Sequence, residues 1–346
     1  MGAFTGEEGV LCTLFSIIIN ESCASDSKLR SKAIGLYFSI YAFGGVIIGA
    51  VTYILDDSWW LYLSMVCLSA LTFIPVPFLA LEPVKQLYKR GKVSDLFRVL
   101  HLYSQRNKTN LTMKEIQVES GIEEINLELA KCKLEHITTW REKLTLVGYN
   151  FKMLVFGGYL VRALCFIVVS GVLYTVFYAV TYNSGKIGLG SISLDVIFLA
   201  GIEAICYLGT VPFIGSIRRN KTTFCCQLLV LIGGVILVVL RKAIPSFEDE
   251  KTVETMVVCI LIKAGLSVNY VVLYTWGAEM FPSTIRGTAL GLSLALGRMA
   301  GLVNAPLISL SEDVFGVNAM VGCAATAVLV FPVLIWLPET LNQKVE

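Results

Sequence analysis

Nine runs of about 20 mainly apolar residues, near 3–19, 33–55, 60–81, 153–180, 193–217, 222–240, 253–276, 286–310 and 316–337, leave this chain few ways to fold. A bilayer core about 30 Å thick is crossed by about 20 helical residues rising 1.5 Å each. In hydrocarbon every backbone N–H and C=O needs an internal partner, which only helices and closed barrels supply. The runs lack the every-other-residue alternation of barrel strands, so they read as helices packed on helices. The expected fold class is an all-α membrane protein, a helical bundle with about nine transmembrane helices. Glu7 and Glu8 make the first run the weakest. Only 16% of the 346 residues are charged, against roughly 25% in soluble domains.

Charge placement orients the bundle. With residues 22–32 on the cytoplasmic side, segments 82–152, 218–221 and 277–286 and the C-terminus follow, and together these hold 21 of the 28 Lys and Arg. The other side keeps Lys186, Arg241, Lys242 and Lys251, which is the positive-inside bias. The four Asn-x-Ser/Thr sequons at Asn20, Asn107, Asn110 and Asn220 then fall on the cytoplasmic side, where glycosylation is not expected. The first residues lack a basic stretch followed by an apolar one, so a cleaved signal peptide is not expected either.

Composition also excludes functions. A net charge of +2 spread over many helices is no nucleic-acid footprint. Nearly all ten cysteines lie inside apolar runs, where thiols act as small hydrophobes, so no disulfide framework is expected. His101 and His136 have no Cys or carboxylate at zinc spacing, so no metal site is expected. No nucleophile, metal cluster or phosphate loop suggests an enzyme, and no cofactor is called for.

The chain divides into a partial N-terminal bundle of three spans (1–81), a cytoplasmic helical linker (82–152) and a C-terminal six-helix bundle (153–346). The linker carries a helical apolar pattern at Ile122, Ile125, Leu129, Leu134 and Ile137. The halves repeat. Glu21 precedes Lys28 by seven residues and Glu279 precedes Arg286 by seven. Each pair is followed by two spans ending in an acidic motif, Leu81-Glu82-Pro83 or Pro338-Glu339-Thr340, at offsets of 258 and 257 residues between halves. A near-constant offset marks duplication. Four spans lie between Lys152 and Glu279 but one precedes Glu21, so the symmetry leads us to expect three further N-terminal helices that this chain lacks.

The stretch from Lys263 through Glu279, Pro282, Thr284, Arg286, Gly291 and Pro306 resembles the signature of the organic ion transporter family of the major facilitator superfamily. Glu82-Pro83 with Leu87, the aromatic pair Phe177 and Tyr178 with Asn183, Glu203, and the Pro-Glu-Thr ending are similar to further family motifs. The resemblance covers most of the chain, from the family's fourth helix onward. The family's Gly-Arg-Arg turn survives only as Arg218-Arg219, and its Trp-Arg pair is replaced by Trp59-Trp60. The resemblance implies a twelve-helix fold, residence in the plasma membrane and transport of a small organic ion. An Arg at the position of Arg298 is typical of family members that handle anions or zwitterions, and Lys263 falls at a recurrent family lysine.

Physics adds its own reading of these charges. A cation in hydrocarbon costs at least about 3 kcal/mol on insertion scales, so one near mid-span is paired or lines a wet cavity. Arg298 lies 12 residues beyond Arg286 and Lys263 lies 13 before Trp276, which puts both near the midplane. Arg298 either contacts substrate or pairs with Glu203 or helix backbone. Lys263 is a substrate contact or a fixed counter-charge. Glu203 is a coupling site or the partner of one of these cations. Phe177 and Tyr178 stack on a flat substrate or pack on neighbouring helices. Glu279 with Arg286, Glu21 with Lys28, and Glu82 and Glu339 stand at cytoplasmic helix ends, as gate ion pairs or as solvated charges. The leading function is a secondary transporter of small organic anions or zwitterions working by alternating access in the lipid bilayer. The alternative is a non-transporting subunit of a larger membrane complex, or a fragment needing other membrane subunits for its missing helices.

Overall fold

The computed structural model describes residues 12, 15–19, 27–55, 60, 87, 93–106, 140–182, 189–243, 251–282, 285–300 and 325–341. Glu21, Glu82, Asn183, Pro306, nearly all of run 60–81 and the linker between 107 and 139 lie outside the described residues. Eight long helices form the described part: α1 (Ser27–Leu55), α2 (Val93–Arg106), α3 (Trp140–Phe156), α4 (Leu160–Tyr182), α5 (Ile192–Thr210), α6 (Arg219–Ala243), α7 (Lys251–Met280) and α8 (Arg286–Ala300). A 3-10 turn (Thr326–Leu329) leads into the short α9 (Val330–Val333). Among the described residues no strand occurs.

Four helices are long and apolar enough to cross a membrane within the described residues: Lys28–Ile54, Leu160–Thr181, Ile192–Thr210 and Met256–Met280. They expose large apolar side chains outward, as Ile40, Ile54 and Ile205 do. In water such a surface would be a liability, whereas a bilayer is as apolar as the side chains it covers. The protein is an all-α integral membrane protein.

Local chemistry sets the breaks. The run read as 153–180 is two helices, because Gly158 between α3 and α4 takes φ +80, a left-handed conformation that glycine adopts without strain. Gly190 at φ +102 turns the chain before α5. Ser191 then caps that helix by accepting from the Leu194 amide at 3.3 Å, while Asp195 in the first turn accepts from the Leu189 amide at 3.1 Å.

Packing joins α1 to the later helices. α1 lies along α5, where a Cβ added to Gly45 would meet Ala200 at 3.3 Å and one on Gly49 would meet Ile197 at 2.7 Å. Bare glycines at this spacing let two helices approach closely. The pair Gly287 and Gly291, which has the same spacing, faces open space. α6 pairs with α7, α4 with α8, and α7 runs through the middle, touching α1, α4, α5, α6 and α8. One core cluster, from Phe38 on α1 to Leu337 near the C-terminus, fills the bundle, and α2 buries Leu96 and Val99 against Leu87 in a small cluster of its own.

Candidate functional site

Helical spacing builds the centre of the bundle. Lys263, Tyr270 and Tyr274 recur at i, i+7 and i+11 on α7, and Tyr174, Phe177 and Thr181 at i, i+3 and i+7 on α4, so each set lines one face. Glu203 and Tyr207 share a face of α5. These faces meet Arg298 from α8 and Phe38 from α1.

Two charged levels result. At the first, the Lys263 ammonium forms an ion pair with Glu203 Oε1, donates to Thr181 Oγ1 at 3.4 Å and lies 3.9 Å above the Phe177 ring. Both partners are buried. At the second, Arg298 Nη2 donates to the Tyr274 hydroxyl at 3.2 Å, and its guanidinium carbon lies 5.0 Å from the Tyr174 ring centre. The Tyr174 and Tyr274 hydroxyls are hydrogen-bonded at 3.0 Å. A cation over an aromatic face gains about 0.5–2 kcal/mol, more when desolvated. Tyr270 joins the levels, with ring centres 5.5 Å from Phe177, 5.8 Å from Tyr174 and 5.3 Å from Tyr274. From α1 Phe38 enters the same wall, 5.4 Å from Tyr270 and 5.0 Å from Tyr274. Tyr178 stacks on Tyr174 at 6.1 Å. Among the described residues the centre is thus an aromatic-walled site that brings together Lys263, Arg298 and Glu203.

One end of the bundle is a latch. Glu279, closing α7, accepts from Arg30 Nη2 of α1 at 3.1 Å, from Arg219 Nη2 and Nε of α6 at 3.2 and 3.3 Å, and from Thr340 Oγ1 at 2.7 Å. Arg219 also donates to Ser31 Oγ of α1 at 2.8 Å and to the Ile214 carbonyl. Glu339 caps α6 through the amides of Arg219 at 2.9 Å and Asn220 at 3.3 Å, where helix-end amides and the dipole favour an anion. Trp276 Nε1 donates to the Pro338 carbonyl at 2.9 Å. Arg286 Nε donates to the Phe281 carbonyl at 3.1 Å, and the exposed Lys28 abuts Gly215 through its backbone.

Sequence reading named Arg298, Lys263, Glu203, Phe177 and Tyr178, and all five lie at this centre, with Glu203 on Lys263 rather than on Arg298. It missed Tyr174, Tyr270 and Tyr274, which the helical stripe through Lys263 and Phe177 could have found. It also missed Phe38, which carries no signal of its own. At the latch it named Glu279 and Glu339 but not Arg30, which sits two residues past Lys28, and it treated Arg219 only as a motif remnant.

Long apolar helices packed around a buried charged centre and fastened at one end define a polytopic helical membrane bundle. The family model described as Major Facilitator Superfamily matches residues 9–305. The chain belongs to the major facilitator superfamily. Human organic anion transporter 3 is 26% identical over 344 residues, covering 96% of this chain and 57% of that protein. An organic cation transporter protein from Drosophila melanogaster is 22% identical over 348 residues, covering 99% and 58%. This chain therefore spans less than three fifths of the curated relatives it matches, and the sequence resemblance to organic ion transporters of this superfamily holds. Among solved structures, the proton:xylose symporter XylE bound to 6-bromo-6-deoxy-D-glucose superposes with a TM-score of 0.69 at 16% identity, over 96% of this chain and 69% of that one. That likeness carries the fold.

Proposed function

We propose that the chain is a secondary transporter, in the plasma membrane, of small organic anions or zwitterions, working by alternating access between its two halves. The observation that carries this reading is the convergence of Arg298 and Lys263 on one aromatic-walled centre to which both halves contribute. Arg298 offers a carboxylate two parallel hydrogen bonds from its planar fork. Glu203 holds Lys263 and receives the positive end of a zwitterion, and Phe177, Tyr178 and Tyr270 receive a flat organic body.

Glu279, Glu339, Arg286 and Lys28, with Glu21 and Glu82 by the repeat, form the cytoplasmic gate. Its core is the Arg30–Glu279–Arg219 bridge between α1 and the C-terminal half. While that bridge stands the cytoplasmic path is closed and the centre is reached from the opposite side. Its breaking lets the halves rock. Human organic anion transporter 3 supports the anion reading by its name, and the Drosophila organic cation transporter protein bears on the organic-ion class.

The test is uptake of a labelled organic carboxylate by the purified chain in liposomes. Arg298→Ala is expected to abolish uptake, whereas Tyr53→Phe, on the exposed outer part of α1, leaves it unchanged. Absence of flux under every imposed gradient overturns the proposal.

A further inference from the structure

Away from the charged centre and the latch, buried polar groups gather at one more place. Eleven buried side-chain N and O atoms lack a hydrogen-bond partner among the described residues, and five of them belong to Thr223, Gln227 and Asn269. These side chains are 1%, 0% and 1% exposed. Both ends of each amide are idle.

The register between α6 and α7 brings the three together. A Cβ on Gly233 would lie 2.7 Å from Ile262 Cγ1, and one on Gly265 would lie 2.9 Å from the Cys226 carbonyl oxygen. The helices therefore run antiparallel, with Gly265 level with Cys226. Asn269 is one turn from Gly265 on the same face, and Thr223 and Gln227 are one turn apart on the buried face of α6 that carries Cys226 and Val230. Asn269 is six residues from Lys263 and ten from Glu279, so the three groups stand on the stretch of α7 that joins the centre to the latch.

Idle buried amides are costly, and natural structures leave few of them dry. The chemistry of the atoms names what fills the gap. A cation would satisfy the three oxygens and leave both NH2 groups idle, whereas water both donates and accepts, and a buried water takes two to four polar partners. We propose that Thr223, Gln227 and Asn269 line a water-holding pocket in the α6–α7 seam, separate from the charged centre. Bridging water gives α7 replaceable hydrogen bonds along α6 between Lys263 and Glu279.

The proposal is independent of transport, and thermal unfolding of the purified full chain in detergent tests it. Gln227→Leu and Asn269→Leu are each expected to lower Tm by about 2–4 °C, because each strands the water and the remaining polar groups. The double variant loses less than the sum, since its two halves share one water network. A rise in Tm for either single variant, which is what removal of an idle amide from a dry seam produces, overturns the proposal, as do additive losses. If the leucine variants do not fold, Thr223→Val decides by the same sign.

Discussion

The centre and the latch are both built from buried charge, yet they are balanced differently. At the latch one carboxylate, Glu279, is clasped by two arginines and a threonine hydroxyl, and Glu339 is spent on the amides that open α6. At the centre, among the described residues, Lys263 pairs with Glu203 beside the Thr181 hydroxyl and the Phe177 ring, and Arg298 rests on the Tyr274 hydroxyl and the Tyr174 ring. A buried charge is tolerated when its hydrogen-bonding capacity is filled. The latch gathers two arginines and a threonine hydroxyl from α1, α6 and the C-terminal segment onto one carboxylate, and so acts as a fastener. Among the described residues the centre holds Lys263 on Glu203, and Arg298 on a phenol hydroxyl and an aromatic ring, contacts of a different kind from the carboxylate clasp of the latch.

The largest expected effect is at the fastener. Glu279→Gln keeps the shape but leaves Arg30 and Arg219 buried without their anion, and removing one partner of a buried pair costs about 3–5 kcal/mol. Thermal unfolding of purified protein should show a large drop in Tm for this variant. A Tm within a degree of the parent would mean that the latch carries no strain-bearing load, and the contrast between the regions would collapse. The next effect is at the centre. Glu203→Gln alone is expected to destabilise by about 3 kcal/mol, yet Glu203→Met with Lys263→Met returns Tm to the parent value or above, because a buried pair is replaceable by apolar volume. No such rescue is expected at the latch, where removing Glu279 with either arginine still leaves the other. Equal losses in the single and double variants at the centre would make Lys263 and Glu203 a fastener too.

How much of this was legible in the sequence follows from the same contrast. The positions of the four membrane-length helices among the described residues rest on hydrocarbon thickness, a demand that each span meets separately, so runs of apolar residues reveal them locally. Lys263, Glu203 and Arg298 stood out because charge inside such a run is rare. Which partner each would take did not stand out. Glu203 was open to either cation, and only the packing of α5 beside α7 sets it on Lys263. The duplicated Glu-to-cation spacing pointed to Glu279, but its clasp by Arg30 and Arg219 joins residues 249 and 60 positions apart, a pairing that no local spacing records. Phe38 is hidden for the same reason, since one more aromatic residue in an apolar run is ordinary until α1 docks on α7. The break at Gly158 was hidden because α3 continues the apolar run, and the turn lies in a backbone angle rather than in polarity.

A smaller effect separates binding from stability. Tyr274→Phe removes the hydroxyl that holds Arg298 while keeping the ring that packs on Phe38 and Tyr270. A hydrogen bond to a charged group contributes about 1.5–3 kcal/mol, so Tm should fall by a few degrees and, with Arg298 no longer held, the KM for a carboxylate substrate should rise by about tenfold or more. If KM is unchanged and Tm falls, Tyr274 serves packing alone and the centre loses its claim to be a binding region.

The smallest effect compares the same substitution in both regions. Thr340 is buried and donates to Glu279 at 2.7 Å, whereas Thr181 is exposed, lies 3.4 Å from the Lys263 ammonium and already donates to the Phe177 carbonyl at 2.8 Å. Valine has the same shape as threonine and lacks the hydroxyl. Thr340→Val should cost about 0.5–1.5 kcal/mol, because a buried carboxylate loses one of its donors and no water replaces it. Thr181→Val should stay within about 0.5 kcal/mol, since water reaches that position. Unfolding of the two variants side by side reads the difference. A loss at Thr181 as large as that at Thr340 would show that the outer part of the centre is as dry as the latch, and a dry centre cannot exchange ligand with the solution.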